Sequence, residues 1–167
     1  MRQYDVAIIG AGIAGASIAS EIGAHRSVLL LEAEDHPGYH STGRSAAFWT
    51  ETYGGPLVQP LTSASRAFLD NPPPDFARSG FLRRRGALNI AKEQQQDLAD
   101  RFVADFADSD LTMERWSWEQ AVSLVPGLKR KWDHAIYEPE CCDIDVAALH
   151  AAFLGDARRK GAELKCR

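Results

Sequence analysis

Near the amino terminus six residues, Gly10-Ala11-Gly12-Ile13-Ala14-Gly15, follow the spacing G-x-G-x-x-G, with Ala19 four residues past the last glycine. Such a turn does its chemistry with backbone alone. Gly10 permits the sharp turn, Gly12 leaves no Cβ to hold a pyrophosphate away, and Gly15 lets the following helix pack close to the preceding strand. Free N–H groups and the helix dipole then favour an anion at the helix start. Glu32, twenty residues beyond Gly12, adds a carboxylate suited to the hydroxyls of an adenosine ribose and opposed to a 2′-phosphate. Together these residues point to a dinucleotide. The pattern alone does not separate FAD from NAD.

The elements that must position the turn are readable on either side of it. Tyr4 to Ile9 (YDVAII) is a short apolar run ending at glycine, which predicts a buried parallel strand. Ala16 to Ala24 begins a helix rich in small residues, and Ser27 to Glu32 (SVLLLE) is a second buried strand with the carboxylate at its end. Strand, helix and strand within about thirty residues make a βαβ unit with a right-handed crossover, so the fold class is α/β and Rossmann-like. Ala33 to Gly43, punctuated by Pro37, Gly38 and Gly43, is a loop.

Farther along, Leu57, Leu61, Ala64 and Phe68 recur at helical spacing until Asn71 and Pro72–Pro74 stop the run. Gly86 to Ala91 suggests a strand, and Lys92 to Asp108 an amphipathic helix with Ala99, Phe102, Val103 and Phe106 on its apolar side. Ser117 to Val125 is a short helix with Ser117 and Gln120 placed as a capping box, and Ala135 to Tyr137 a strand. In the final helix Val146, Leu149, His150, Phe153, Leu154 and Ala157 share one face; Asp145 caps it and Gly161 ends it. Ala162 to Cys166 begins another strand.

The chain has 167 residues, 45% hydrophobic and 25% charged, which excludes disorder, collagen and coiled coil. Lys plus Arg number 19 against 23 Asp plus Glu, a net charge of −4 that lacks the basic field of a nucleic-acid or anionic-membrane binder. Cys141, Cys142 and Cys166 have neither disulfide-framework nor zinc spacing and read as reduced thiols of a cytoplasmic protein. His25, His36, His134 and His150 show no metal-ligand spacing, so no metal is expected. The apolar stretch Val6 to Ala19 is broken by Gly10, Gly12 and Gly15 and flanked by Asp5, so neither a signal peptide nor a stable membrane anchor is expected.

Residues Pro37 to Ala47 read PGYHSTGRSAA. This segment resembles the amino-terminal part of the flavin-dependent amino acid oxidase and dehydrogenase (DAO) superfamily, which includes D-amino acid, glycine and sarcosine oxidases. YHSTGRSAA with Tyr53-Gly54, Ser65-Arg66-Ala67-Phe68, Asp70-Asn71-Pro72-Pro73, Asp143-Ile144-Asp145 and Ala148-Leu149-His150 is most similar to the D-arginine dehydrogenase group. The resemblance implies FAD as cofactor. By position, Ala14, Glu32 and Ala33 would line its adenosine and pyrophosphate part. Ser41, Thr42, Gly43, Arg44, Ser45, Ala46 and Ala47 would follow it towards the flavin ring. Small side chains let backbone N–H groups approach, hydroxyls donate, and Arg44 can meet phosphate. The residues alone also allow a plainer reading, a helix start capped by Ser41 or Thr42.

The resemblance further implies that Phe48, Trp49, Thr50 and Tyr53 form part of the substrate wall and lid. Arginine-type relatives carry histidine at the position of Phe48 and a carboxylate for the guanidinium at that of Ala87. A cationic side chain against alanine would lose its charge partner, so the expected substrate is less cationic and more apolar than arginine. Arg83-Arg84-Arg85 is expected to be a solvated surface and Trp116, Trp118 and Trp132 to be packing residues, while Glu51 and Glu138 show no partner for acid–base work.

The implied organisation is an FAD-binding segment over 1–75, a partial substrate domain over 76–142, and a return helix and strand of the FAD-binding domain over 143–167. The implied activity is oxidative deamination of a (D-)amino acid. The Cα hydride would pass to flavin N5, leaving an imino acid and then a 2-oxo acid, with oxygen, a quinone or another electron acceptor completing the cycle. The family is much longer than this chain, so the main catalytic groups are expected downstream of residue 167. Two alternatives stand beside this reading: a truncated, inactive FAD- or nucleotide-binding fragment, and an NAD-dependent dehydrogenase domain, which leaves GRSAA unexplained. An incomplete sheet would expose a hydrophobic patch.

Overall fold

The glycine turn leaves β1 (Val6–Ile9) and enters α1 (Ile13–Ile22), after which β2 (Val28–Leu31) runs parallel to β1 with Val6 opposite Val28 and Ile9 opposite Leu31. The structure, a computed structural model, describes residues 3–167. Next come α2 (Ser41–Arg44), β3 (Phe48–Trp49), α3 (Gln59–Asp70), β4 (Leu82–Arg84) and β5 (Ala87–Ala91). A 3-10 turn over Glu93–Gln95 leads into α4 (Gln96–Ala104), β6 (Glu114–Trp116), α5 (Trp118–Leu124) and β7 (His134–Glu138). The chain finishes with β8 (Cys142–Ile144), α6 (Val146–Arg159) and β9 (Glu163–Lys165). It divides into two compact units: residues up to Ala47 with Ala67–Phe81 and Ile144–Arg167, and Phe48–Arg66 with Leu82–Asp143.

In the first unit the strand order is β1-β2-β9, all parallel, with Leu29 opposite Glu163 and Leu31 opposite Lys165. Ala16 and Ala19 of α1, Val28 and Leu30 of β2, and Leu154 and Ala157 of α6 form one buried cluster, with Ile8 packed against it. Small residues let the two helices come together. A Cβ on Gly23 would stand 2.7 Å from the Ala19 carbonyl oxygen and 3.1 Å from the Lys160 Cβ. Helix α6 begins as its sequence predicts, with the Asp145 carboxylate accepting from the Ala148 N–H at 2.9 Å, and Gly161 past its end has φ +93°. The expected full burial of β1 is not observed. Ile8 faces the cluster, whereas Ala7 and Ile9 lie on the opposite, uncovered face and Ile9 is 80% exposed.

One buried charge ties α6 to α1. Asp156 accepts from Ser20 Oγ at 2.5 Å, from Lys160 Nζ at 2.6 Å and from Arg159 at 3.0 Å. Burial pushes its carboxyl up, but the Lys160 and Ser20 hydrogen bonds outweigh this and hold it below the usual aspartate range. A depressed folded-state value contributes stability above the ordinary value of 3.8 and loses it as pH falls through the depressed one. Asp156→Asn should therefore lower the unfolding free energy at neutral pH by about 2 kcal/mol. In urea titrations the gap from wild type should close as pH is taken below 3.8; a gap that ignores pH would contradict this.

The second unit holds two three-stranded sheets, β3-β8-β4 and β5-β7-β6, with β3–β8, β5–β7 and β6–β7 antiparallel. Phe48 lies opposite Asp143, Ala87 opposite Glu138 and Arg115 opposite Ile136. The capping box of α5 forms as predicted, Gln120 N–H donating to Ser117 Oγ at 3.3 Å and Ser117 N–H to Gln120 Oε1 at 2.8 Å. The helix expected over Lys92 to Asp108 is shorter, ending at Ala104 after the 3-10 turn. Trp116 stacks on Tyr137, centroids 4.0 Å apart. The arginine run is more than a solvated face. Arg84 pairs with Glu140, and Arg85 donates to Asp143 at 3.0 Å while lying 4.6 Å over the Phe48 ring. Among the described residues, no helix is long and apolar enough to cross a membrane.

Candidate functional site

The turn between β1 and α1 is fixed by its own backbone. Gly10 has φ +94° and donates to the Leu31 carbonyl at 2.7 Å, so the turn is stitched to the end of β2. Ala11, fully buried, is held at both ends: its N–H donates to Glu32 Oε2 at 2.9 Å, and its carbonyl accepts from His150 Nε2 at 2.8 Å. Glu32 Oε1 also accepts from the Glu34 N–H at 3.1 Å. The Ala11 N–H, followed by that of Glu34, holds the Glu32 carboxyl below the usual glutamate range. Glu32 is thus an anion whose remaining lone pairs can accept from hydroxyls.

A distant loop completes the site. Thr42 Oγ1 accepts from the N–H of Ile13, the first residue of α1, at 2.9 Å, and a Cβ on Gly12 would come within 3.1 Å of that oxygen. Thr42 therefore caps α1 across 29 positions of sequence, where the preceding Gly12 has no side chain to do so. The local-cap reading of Ser41 or Thr42 fails, since α2 starts after His40 with no side-chain cap. The Thr42 hydroxyl hydrogen is still available to donate. Gly43 N–H donates to the Gly38 carbonyl at 2.8 Å, closing the loop. Arg44 turns onto Tyr39, donating to its carbonyl at 3.2 Å and lying 5.0 Å over its ring, rather than towards the turn.

Gly10, Gly12, Glu32, Ser41 and Thr42 line a depression of about 230 Å³. The Gly12 N–H and the Thr42 hydroxyl stand beside a carboxylate, which fits the diphosphate and ribose of a dinucleotide, and a side chain at Gly12 would crowd it. Hydrogen bonds thus gather Gly10, Ala11, Ile13, Glu32 and Thr42 into one cluster, with Gly12 between them. Ala14, Ala33, Gly43, Ser45 and Ala46 are exposed nearby in sequence, Ser45 Oγ donates back to the Ser41 carbonyl at 2.6 Å, and the Ala47 carbonyl accepts from Ile144 N–H at 2.9 Å. Gly15 packs against Gly10. His150 escaped sequence reasoning as a member of the site, because its helical spacing marks only an apolar face.

In the second unit the substrate-wall residues are dispersed. Phe48 is half exposed beneath Arg85, and Tyr53 is 81% exposed. Trp49 is buried and donates to the Thr62 carbonyl at 2.9 Å. Thr50 donates to Glu138 Oε2 at 3.1 Å, joined there by Thr52 at 3.0 Å, while Asn89 Nδ2 donates to Oε1 at 2.6 Å. Glu138, 3% exposed and directly across from Ala87, is the residue that sequence reasoning left without a partner. Its partners come from two segments far from it in sequence, so no local pattern could announce them. Burial, then the Glu138 carboxylate, pushes the Cys141 thiol up.

A parallel strand–turn–helix–strand with its glycines, distant cap and terminal carboxylate defines a dinucleotide-binding protein of the doubly wound class. The family model described as FAD dependent oxidoreductase (DAO) matches residues 5–167. The chain belongs to this family, and the choice between FAD and NAD falls to FAD. Pyridoxine 4-oxidase of Microbacterium luteolum is 32% identical over 148 residues, 80% of this chain and 25% of that protein. Glycine oxidase of Geobacillus kaustophilus superposes with a TM-score of 0.84 at 22% identity, over 99% of this chain and 47% of the other. L-proline dehydrogenase of P. horikoshii gives 0.82 at 20% identity, over 98% and 44%. L-α-glycerophosphate oxidase of Mycoplasma pneumoniae, solved with FAD bound, gives 0.82 at 16% identity. The solved structures support the fold. The chain spans a quarter of that curated relative and just under half of these structures.

Proposed function

We propose that this protein acts in the FAD-dependent oxidative deamination of an amino acid, of D configuration by its likeness to the D-arginine dehydrogenase group. Residues 1–75 and 143–167 would serve the cofactor and 76–142 the substrate domain, except that Phe48–Arg66 fold with the second unit. The observation that carries this is the joining of three separate segments on the glycine turn: Glu32 on Ala11, Thr42 on Ile13, and His150 on Ala11. FAD, when bound, supplies the acceptor for the two electrons removed from the amino acid. The Gly12 N–H would meet its diphosphate, Glu32 its ribose hydroxyls, and the Thr42 hydroxyl a phosphate oxygen. Ser41 and Gly43 to Ala47 would let the backbone run alongside the rest of the cofactor. The imino acid product is hydrolysed by water to a 2-oxo acid, and oxygen, a quinone or another acceptor takes the electrons onward.

The substrate side chain is better matched by an apolar group than by guanidinium. Residue 87 is alanine, and the carboxylate facing it across the strand pair, Glu138, already accepts from Thr50, Thr52 and Asn89. Phe48 adds an apolar ring to the same reading. Mixed without oxygen with the FAD-loaded full-length enzyme, D-leucine or D-phenylalanine should bleach the flavin at least about tenfold faster than D-arginine, the equivalent of one lost charge-assisted hydrogen bond. Faster bleaching by D-arginine would overturn the substrate assignment.

A further inference from the structure

Helix α6 carries a second hold on the glycine turn besides its packing on α1. His150, 8% exposed on the face that also presents Leu154 and Ala157 to the core, reaches the carbonyl oxygen of Ala11 with Nε2 at 2.8 Å. A carbonyl can only accept, so Nε2 carries the proton and donates. Six residues on, Asp156 holds Ser20 in the last turn of α1. The two helices run in the same direction, and these anchors fix the turn and the helix that follows it to one rigid neighbour.

The consequence lies in the peptide unit. Among the described residues no peptide bond is cis, so the N–H of Gly12 points opposite to the Ala11 carbonyl in the same plane. His150 holds the carbonyl of that plane and Glu32 holds the N–H of the plane before it, so the peptide units on both sides of the Ala11 Cα are fixed. Gly12 and Gly10 offer no side chains to stiffen the turn, so the stiffness must come from outside it. Gly38 makes room for this arrangement: a Cβ there would stand 2.8 Å from the His150 Cε1 and 3.0 Å from Nδ1.

We infer that His150 is a positioning residue of the phosphate-binding turn, orienting the Ala11–Gly12 peptide so that the turn's donors are set before FAD arrives. The inference rests on the FAD reading of the site, but the clamp itself is a property of the protein without cofactor. Glutamine and methionine at position 150 have nearly the same length and shape and differ in the N–H donor. In the apo-protein, amide hydrogen exchange over Ala11 to Ile13 should quicken by about tenfold in His150→Met and stay near wild type in His150→Gln. Exchange at Leu29–Leu31 of β2 serves as the internal reference and should be unchanged in both. FAD should bind about tenfold more weakly to the methionine variant and with near wild-type affinity to the glutamine one.

Equal exchange at the turn in the two variants overturns the clamp. So does a loss of protection that spreads equally through β2, which would make His150 a general packing residue. Failure of the wild-type protein to bind FAD would instead overturn the functional reading, and exchange at the turn would still decide the clamp.

Discussion

Gly15→Val is expected to abolish FAD binding and to destabilise the first unit by about 3 kcal/mol or more. Even a Cβ at this position would stand 1.9 Å from the Gly10 carbonyl oxygen and 3.3 Å from the Ile8 side chain. Neither neighbour can retreat. Gly10 is tied to Leu31 by its N–H, and α1 is tied to α6 through Ser20 and Asp156. The valine must therefore force α1 off β1, which moves the N–H groups of the turn away from any diphosphate. Gly155→Ala is the matching control. It lies within α6, where an added Cβ meets only the flexible Arg159 guanidinium at 3.5 Å, and it should raise stability by about 0.5–1 kcal/mol. Thermal unfolding and FAD titration of the two variants check both; a Gly15→Val protein that melts and binds like wild type would contradict the turn geometry.

Glu32→Gln should weaken FAD binding by about tenfold to a hundredfold, the range for losing a hydrogen bond to a charged group. Glu32 uses both carboxylate oxygens on backbone donors, Oε2 on Ala11 and Oε1 on Glu34. An amide has one acceptor oxygen, so glutamine sets an NH₂ against one of those N–H groups. Either the turn or the start of the loop then loses its tie, and the ribose loses an anionic acceptor. The same two N–H groups keep the carboxyl below its ordinary value of 4.5. A depressed value means the ionised form, and what it contributes, is retained above 4.5 and lost only as pH falls through the lower, folded-state value. Wild-type FAD affinity should thus not decline between about pH 7 and pH 5. A decline in that window, or an unaltered affinity in Glu32→Gln, would count against the role of this carboxylate.

The parts of the molecule that were legible in the sequence are those built from contiguous signals. The βαβ unit showed through because its apolar runs, glycines and terminal acid lie within one stretch, and α5 and α6 because Ser117 and Asp145 sit where caps belong. The strands β3, β4, β6 and β8 did not, since two or three residues are too few for alternation to register. The uncovered side of β1 was hidden for another reason: an all-apolar run looks the same whether one face or both are packed. Long-range partnerships were the least visible. Thr42 was readable as a hydroxyl near a cofactor but not as the cap of α1. His150 was readable as packing but not as the donor to a carbonyl 139 residues earlier. Arg84 and Arg85 looked like surface charge because Glu140 and Asp143, their partners, arrive from far along the chain.

The glycine turn, Glu32 and Thr42 are proposed to form one FAD site together. The most direct measurement is the visible spectrum of the purified protein after incubation with FAD and removal of free cofactor by gel filtration, with NAD carried through the same procedure and detected by its own absorbance. One flavin per chain should be retained, and no NAD. A protein that keeps no flavin, or that keeps NAD in its place, would contradict it.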